Sequence, residues 1–314
     1  MKMVDLHCDT VDKLMDDPAY RLAENEFAID LNKMEKAGSL AQVFALFVNM
    51  KEVESPSARG YDMLQRLWQE LNRNEDRILW AGNASDLRKN KLHDKMSAMI
   101  AIEEGGVLEG EIGNLHNFYR QGVRFVTLTW NYPNEIGFPH GAEHGMKGLT
   151  TFGHELIEEM ERIGVITDVS HLSEAGFWDV KKTLEKPFVA THSNCQALCS
   201  HTRNLTDEQI KALSEAGGVM GINIFSKFLI DSPTPDSDLV EAAVAHVKHA
   251  IKIGGIDVVA LGGDLDGIPA CSTFKTIDDM GKIEQSLLKH GFKENEIEKI
   301  WSTNAIRVMD AVLK

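Results

Sequence analysis

The chain is poor in cysteine. Among 314 residues it has Cys8, Cys195, Cys199 and Cys271, and no two form a C-x-x-C pair. Four in this length is too sparse for a disulfide framework, so all four are read as free thiols. Long apolar runs are also missing: none approaches the 18 residues of a membrane span. The opening M-K-M-V-D-L-H-C-D-T has no apolar stretch of the kind found in a secretory leader. Positive charge is scarce, with 33 Lys and Arg against 48 Asp and Glu, a net charge of −15. That balance argues against nucleic-acid backbones and anionic membranes as partners. No low-complexity linker or short repeat appears, and no G-x-G-x-x-G follows the first apolar run, which speaks against a dinucleotide site. The expectation is a reduced, soluble, cytoplasmic protein whose acidity serves solubility.

What is present is alternation. Apolar runs rich in Val, Ile and Thr predict strands at 3–8, 41–49, 98–103, 124–130, 164–170, 187–192, 218–224 and 257–263. Amphipathic stretches predict helices at 58–75, 109–121, 151–163, 173–184, 206–216, 238–253, 278–290 and 294–313. Capping signals open several of them: Ser173 before Glu174, Thr206 before Asp207 and Glu208, and S-D-L at 237–239. Eight strands separated mostly by helices point to a (β/α)8 TIM-type barrel with C-terminal helices, one domain over 1–314, rather than an open sheet.

Such a barrel carries its chemistry at the C-terminal ends of its strands. Those ends hold His7 and Asp9, Glu103 and Glu104, Trp130 and Asn131, Asp168 and His171, His192, Asn223, then Asp264 and Asp266. In a strand, His7 and Asp9 at i and i+2 would project from one face. Each residue alone has a plainer reading as a helix-start, core or loop residue. Imidazoles mixed with hard carboxylates at so many ends favour zinc or a similar divalent ion, and five ligands suit two ions better than one.

The segments H-C-D at 7–9, A-I-E-E-G-G at 101–106, D-V-S-H at 168–171, T-H-S-N at 191–194, H-T-R-N-L-T-D at 201–207 and G-G-D-L-D-G at 262–267 resemble those of the membrane (renal) dipeptidase family, within the amidohydrolase superfamily. The resemblance implies a zinc-dependent dipeptidase acting through a metal-bridged hydroxide and admitting a D-residue at the C-terminal position. It assigns His7, Asp9 and Glu103 to one Zn2+ and Glu103, His171 and His192 to a second. The glutamate is ambiguous. The one directly before Gly-Gly is Glu104, whereas counting back from G-V-R-F-V-T-L-T at 122–129 selects Glu103, which is preferred. Asp264 would accept the proton and pass it to the leaving amine. Asp266 is the lesser choice, and Asp168 is read as a supporting group. Arg203 would grip the substrate carboxylate, against the plainer reading of a surface ion pair. Relatives commonly dimerise, so a homodimer is admitted.

One position departs from the family pattern: the histidine after T-L-T is Trp130 here, which lines the substrate site but carries no charge. His140 and His144, in the loop 134–145, are candidates to compensate. His246 and His249, at i and i+3 on one helix, have no evident partner and are read as packing or surface residues. Two readings compete with the dipeptidase: a binuclear amidohydrolase for another small carboxylate-bearing amide, and a non-catalytic, metal-stabilised binding protein. Trp130 favours the first, while Arg203 implies a carboxylate-bearing substrate and so weighs against small amides or esters that lack one. The full ligand set together with Asp264 weighs against the second.

Overall fold

A computed structural model describes residues 1–141 and 143–314. Nine strands are β1 Met3–Cys8, β2 Ser39–Phe47, β3 Ile78–Trp80, β4 Met96–Glu103, β5 Val123–Thr127, β6 Ile166–Asp168, β7 Val189–Ser193, β8 Val219–Ile222 and β9 Val259–Leu261. They run in the order β2-β1-β9-β8-β7-β6-β5-β4-β3, and a further parallel pairing of β2 with β4 closes eight of them into a ring. The result is the expected (β/α)8 barrel. β3 stands outside the ring, paired with the start of β4 from Ile78↔Met96 to Trp80↔Ala98.

Alternate residues of each strand face opposite ways, so a strand enclosed by helices must be apolar on both faces. Val4, Leu6, Val43, Met99, Phe125 and Ala260 pack together inside the ring. Phe44, Ile100, Ile102, Val126, Met220 and Leu261 belong to the larger apolar layer between strands and helices. The inner cluster also takes in Ala305, Val308, Met309 and Val312 from the last helix. Asn304, which begins that helix, donates from Nδ2 to the carbonyls of Ile256 and Val259, both at 2.8 Å. The last helix therefore plugs the barrel at the N-terminal ends of its strands, leaving the opposite end for chemistry.

The capping signals form as expected. Ser173 Oγ accepts from Gly176 N at 3.0 Å, and Asp238 Oδ1 accepts from Val240 N and Glu241 N. Thr206 and Gln209 satisfy each other's backbone amides in a capping box. Several features depart from expectation, among them the short helices Thr10–Met15, Leu31–Lys36 and Ser226–Leu229. β3 is only three residues long, too short for a periodic signal. The unforeseen helix Ala84–Leu92 buries just Ala84, Leu87 and Asn90, and its start is set by Asn83 accepting from Asp86 N at 3.0 Å. The expected helix 294–313 is interrupted, with a wide π-type turn at Lys299–Thr303 between Glu294–Glu298 and Asn304–Val312. Strand ends also shift: the expected 124–130 stops at Thr127, and 41–49 becomes Ser39–Phe47. Among the described residues, no helix is long and apolar enough to cross a membrane.

Candidate active site

Strand alternation does not explain how β1 presents its polar residues. Val4 and Leu6 face the barrel interior, yet Cys8 packs in the outer layer, because the register against β2 shifts between Asp5 and Cys8. That irregularity turns His7 inward. Asp9 lies past the strand, at φ −106°, ψ 22°, in the position just before the helix Thr10–Met15, and its side chain makes no capping bond there. The two side chains still meet, with His7 Nε2 3.5 Å from Asp9 Oδ2, through a bulge and a turn rather than the simple i, i+2 relation.

Glu103, the last residue of β4, lies between two groups of imidazoles. Its Oε2 is 2.9 Å from His7 Nε2, while its Oε1 is 3.3 Å from His171 Nε2 and 3.5 Å from His192 Nε2. Glu104 turns the other way. Its carboxylate accepts from Gly106 N at 2.8 Å, from Trp130 N at 2.9 Å and from Asn134 Nδ2. Burial pushes the Glu104 carboxyl up to about 7 despite those bonds. Burial pushes the Glu103 carboxyl the same way, but there the charge of His7 and the bonds to His7 and Asp9 together outweigh it and hold the group below the usual range.

The tautomers of the two downstream histidines follow from their other nitrogens. His171 Nδ1 lies 2.9 Å from Asn131 Oδ1, a pure acceptor, so Nδ1 carries the hydrogen. Thr191 Oγ1 donates to Asp168 Oδ2 at 2.5 Å and must therefore accept from His192 Nδ1 at 2.8 Å. Both Nε2 atoms thus present lone pairs, 3.0 Å apart, with a carboxylate oxygen beside them. Burial drives the pKa of both rings well below the usual value. At His7 burial opposes protonation too, but Glu103 and Asp9 outweigh it and lift the pKa well above normal. Two facing lone pairs beside an anion repel unless a cation lies among them, so this donor set fits a divalent ion. The triads Glu103–His171–His192 and His7–Asp9–Asp264 each bring one ligand atom per residue within 4.8 Å of the others.

His7, Asp168 and His192 are as close, yet Asp168 is already saturated. It accepts from Ser170 N and Thr191 N, both at 2.9 Å, from Thr127 Oγ1 at 2.6 Å and from Thr191 Oγ1. Its place is to hold β5, β6 and β7 together and to fix Thr191 behind His192.

Asp264 follows β9 and is 8% exposed, with Asn223 Nδ2 donating to its Oδ2 at 2.9 Å. Burial, with Asp9 and Glu103 nearby, raises its carboxyl to about 7. Asp266 is occupied elsewhere: Thr10 Oγ1 and Ala28 N each donate to it at 2.7 Å. Gly267 permits a close approach of the backbone to the carboxylates, since a Cβ there would lie 2.0 Å from Asp9 Oδ2 and 2.8 Å from Asp264 Oδ1.

Arg203 is 3% exposed, so it is no surface ion pair. Its Nη1 donates to Ser193 Oγ at 3.3 Å and its Nη2 to the carbonyl of His192 at 3.0 Å, and Nε has no partner. Burial lowers its pKa to about 10. The guanidinium sits 5.3 Å from the Phe228 ring.

A cavity of about 290 Å3 lies over Glu103 and Asp264, with Phe47, Trp130, Phe225 and Phe228 among its walls, and Arg203 lines a second cavity of about 140 Å3 that shares His171 with it. His140 lines the cavity beside Arg203: its backbone N–H donates to the carbonyl of His171 at 2.7 Å, and its Nε2 lies 3.0 Å from Asn131 Oδ1. His144 instead packs near Phe138, with ring centroids 5.7 Å apart. His246 and His249 do have partners, contrary to expectation. His246 Nδ1 accepts from Cys195 N and its Nε2 donates to the carbonyl of Leu229, while His249 pairs with Asp207 at 2.6 Å. All four cysteines are free. Sequence reasoning gave no role to Gly267, Phe225 or Phe228; the Gly that ends G-G-D-L-D-G was the available signal for the first, and the two aromatics gave none.

The family model described as Membrane dipeptidase (Peptidase family M19) matches residues 1–314. A Klebsiella pneumoniae protein, described as an uncharacterized protein in the pqqA 5′ region, is 35% identical over 266 residues, 80% of this chain and 97% of that one. The dipeptidase verJ of Clonostachys rogersoniana is 29% identical over 299 residues, 93% of this chain and 69% of its own. Among solved structures, the metallopeptidase dipeptidase AC superposes with a TM-score of 0.94 at 25% identity, covering 100% of this chain and 99% of that one. A Rhodobacter sphaeroides metallopeptidase liganded with a phosphinate mimic of the dipeptide L-Ala-D-Ala superposes at 0.93 and 24% identity, covering 99% of each, a likeness of fold.

Proposed function

Because the chain belongs to the membrane dipeptidase family, a family of metal-dependent hydrolases, we propose that it cleaves the peptide bond of dipeptides with the aid of two Zn2+ ions. His7, Asp9 and Glu103 would hold one ion, and Glu103, His171 and His192 the other. Bound there, such ions polarise a carbonyl and supply a nucleophile from water at neutral pH.

The observation that carries the reading is Arg203. A guanidinium 3% exposed, with a free Nε and no carboxylate within salt-bridge distance among the described residues, lies beside the Glu103 cluster. A buried cation without an anion is costly unless a ligand brings one. A dipeptide does: its free carboxylate lies one residue beyond the scissile bond, and the guanidinium fork matches it. Arg203 thereby measures substrate length. Asp264, oriented by Asn223, holds and delivers the proton that the leaving amine needs. Glu104 anchors the backbone of Trp130 and the side chain of Asn134, and so keeps the mouth in shape.

A screen of L-L and L-D dipeptides with the zinc-loaded protein tests the reading and reports stereochemical preference together. The L-D class is included because a D-residue changes only where the second side chain points, not the carboxylate that Arg203 would bind. Hydrolysis that is abolished by a chelator and restored by zinc supports the proposal. Hydrolysis confined to amides without a free carboxylate would favour the broader amidohydrolase reading instead.

A further inference from the structure

Around the barrel mouth the strands follow the order β1, β2, β4, β5, β6, β7, β8, β9. Phe47 ends β2 and Trp130 follows β5, so these two aromatics flank Glu103. Arg203 and Phe228 lie on the connections after β7 and β8, across the mouth from them. A dipeptide whose carboxylate is held by Arg203 and whose scissile carbonyl lies over Glu103 therefore extends its first residue toward Phe47 and Trp130.

Those rings form a fixed wall. Trp130 packs edge-on against Phe47, with centroids 4.9 Å apart, and against Tyr132 at 5.5 Å. The backbone of Trp130 is tied to Glu104, and Tyr132 Oη accepts from Met50 N at 2.8 Å. Phe47 and Trp130 are both half-buried and both line the 290 Å3 cavity. Half-buried, immobile rings at a cavity wall gain most when an apolar group covers them, because the rotamer cost of ordering them is already met by the fold.

We propose that the Phe47–Trp130 wall selects dipeptides whose first, N-terminal residue carries a bulky apolar or aromatic side chain. This inference rests on the dipeptidase reading, since it takes Arg203 as the anchor of the substrate's other end.

The test is kcat/KM for L-Phe-L-Ala, L-Ala-L-Phe and L-Ala-L-Ala with the zinc-loaded protein and with Trp130→Ala. Phe-Ala is expected to exceed Ala-Ala by about 10- to 100-fold, the range a well-packed apolar group supplies, while Ala-Phe shows no comparable gain. Trp130→Ala should erase most of the Phe-Ala advantage, read as the ratio of kcat/KM for Phe-Ala to that for Ala-Ala in each protein, whatever the variant's absolute activity. Trp130→Phe, which keeps a ring, should retain an intermediate preference and guards against a Trp130→Ala variant that does not fold. Equal values for Phe-Ala and Ala-Ala overturn the wall, as does a Trp130→Ala variant that loses both in proportion. In either case the dipeptidase reading stands, because dipeptides are still cleaved. If none of the three is hydrolysed, the dipeptidase reading itself falls and takes the wall with it.

Discussion

His171 Nε2 and His192 Nε2 lie 3.0 Å apart, and each has its hydrogen on the far nitrogen, held there by Asn131 and Thr191. Neutral imidazoles do not come this close through their lone pairs without a cation between them. The supporting groups, Asn131, Asp168 and Thr191, come from three different strands or the loops that follow them, so the arrangement is imposed by the fold. Its local cost is visible in the backbone. His171, Glu104, Asp264 and Asp266 all have φ between 59° and 77°, where a non-glycine residue is strained by about 1–3 kcal/mol.

The protein is therefore expected to take up about two divalent ions per chain, and saturating zinc should raise its melting temperature by mass action. Elemental analysis and thermal melts check this. Glu103→Gln should lower occupancy at both positions, because one oxygen faces each group of imidazoles. Glu104→Gln should leave occupancy nearly intact, since that carboxylate faces the Trp130 and Asn134 segment.

Asp264→Asn should retain metal and fold but lower kcat by about 10²–10⁴-fold, the usual worth of a positioned acid or base. Asp266→Asn should act differently. Its carboxylate holds Thr10 and the backbone of Ala28, so the loss should appear in stability more than in kcat. Steady-state kinetics paired with urea melts separates the two. A fully active Asp264→Asn enzyme removes that residue from the mechanism.

Arg203→Ala should cost about 2–5 kcal/mol in kcat/KM on a dipeptide, the range for removing one partner of a buried charge pair. On the C-terminally amidated dipeptide, which offers no carboxylate, the loss should be much smaller. Equal losses on acid and amide would assign Arg203 to structure, through its bonds to Ser193 and the His192 carbonyl.

Gly267→Ala tests the close approach of the backbone to Asp9. The new methyl would meet Asp9 Oδ2 at 2.0 Å, so Asp9 must move away from His7. Metal affinity is expected to fall sharply, measured by competition with a coloured chelator, while the apolar barrel interior, far from this position, keeps the melt cooperative.

The barrel was legible in the sequence because its eight strands are buried on both faces and so read as continuous apolar runs. β3 and the helix Ala84–Leu92 were not: the first is three residues long, and the second buries too few apolar side chains to show a period. The candidate residues were legible as polar groups at strand ends, and counting back from the segment 122–129 preferred Glu103; in the structure the Glu103 carboxylate faces the imidazoles and that of Glu104 faces Trp130 and Asn134. The detailed reasons were hidden. Nothing in V-D-L-H-C-D-T announces a register shift that turns His7 inward, and a simple alternation would have brought His7 and Asp9 together for the wrong reason. The pairing of His246 with Cys195 and Leu229 was invisible because its partners lie 51 and 17 residues away in sequence.

The seam between β1 and β9 joins segments far apart in sequence, with Asp5 paired to Leu261. Asp5 accepts from the backbone of Gly263, 258 residues later, and Thr10 Oγ1 donates to the carboxylate of Asp266. During synthesis, His7 and Asp9 are made about 255 residues ahead of their companion Asp264. At about 5–20 residues per second, they wait many seconds for it. A ribosome-bound fragment thus lacks a complete centre, and the capacity to hydrolyse arrives in one step with ring closure. Contacts of such long sequence separation also form slowly, which makes this seam the natural place to look for the rate-limiting event of folding.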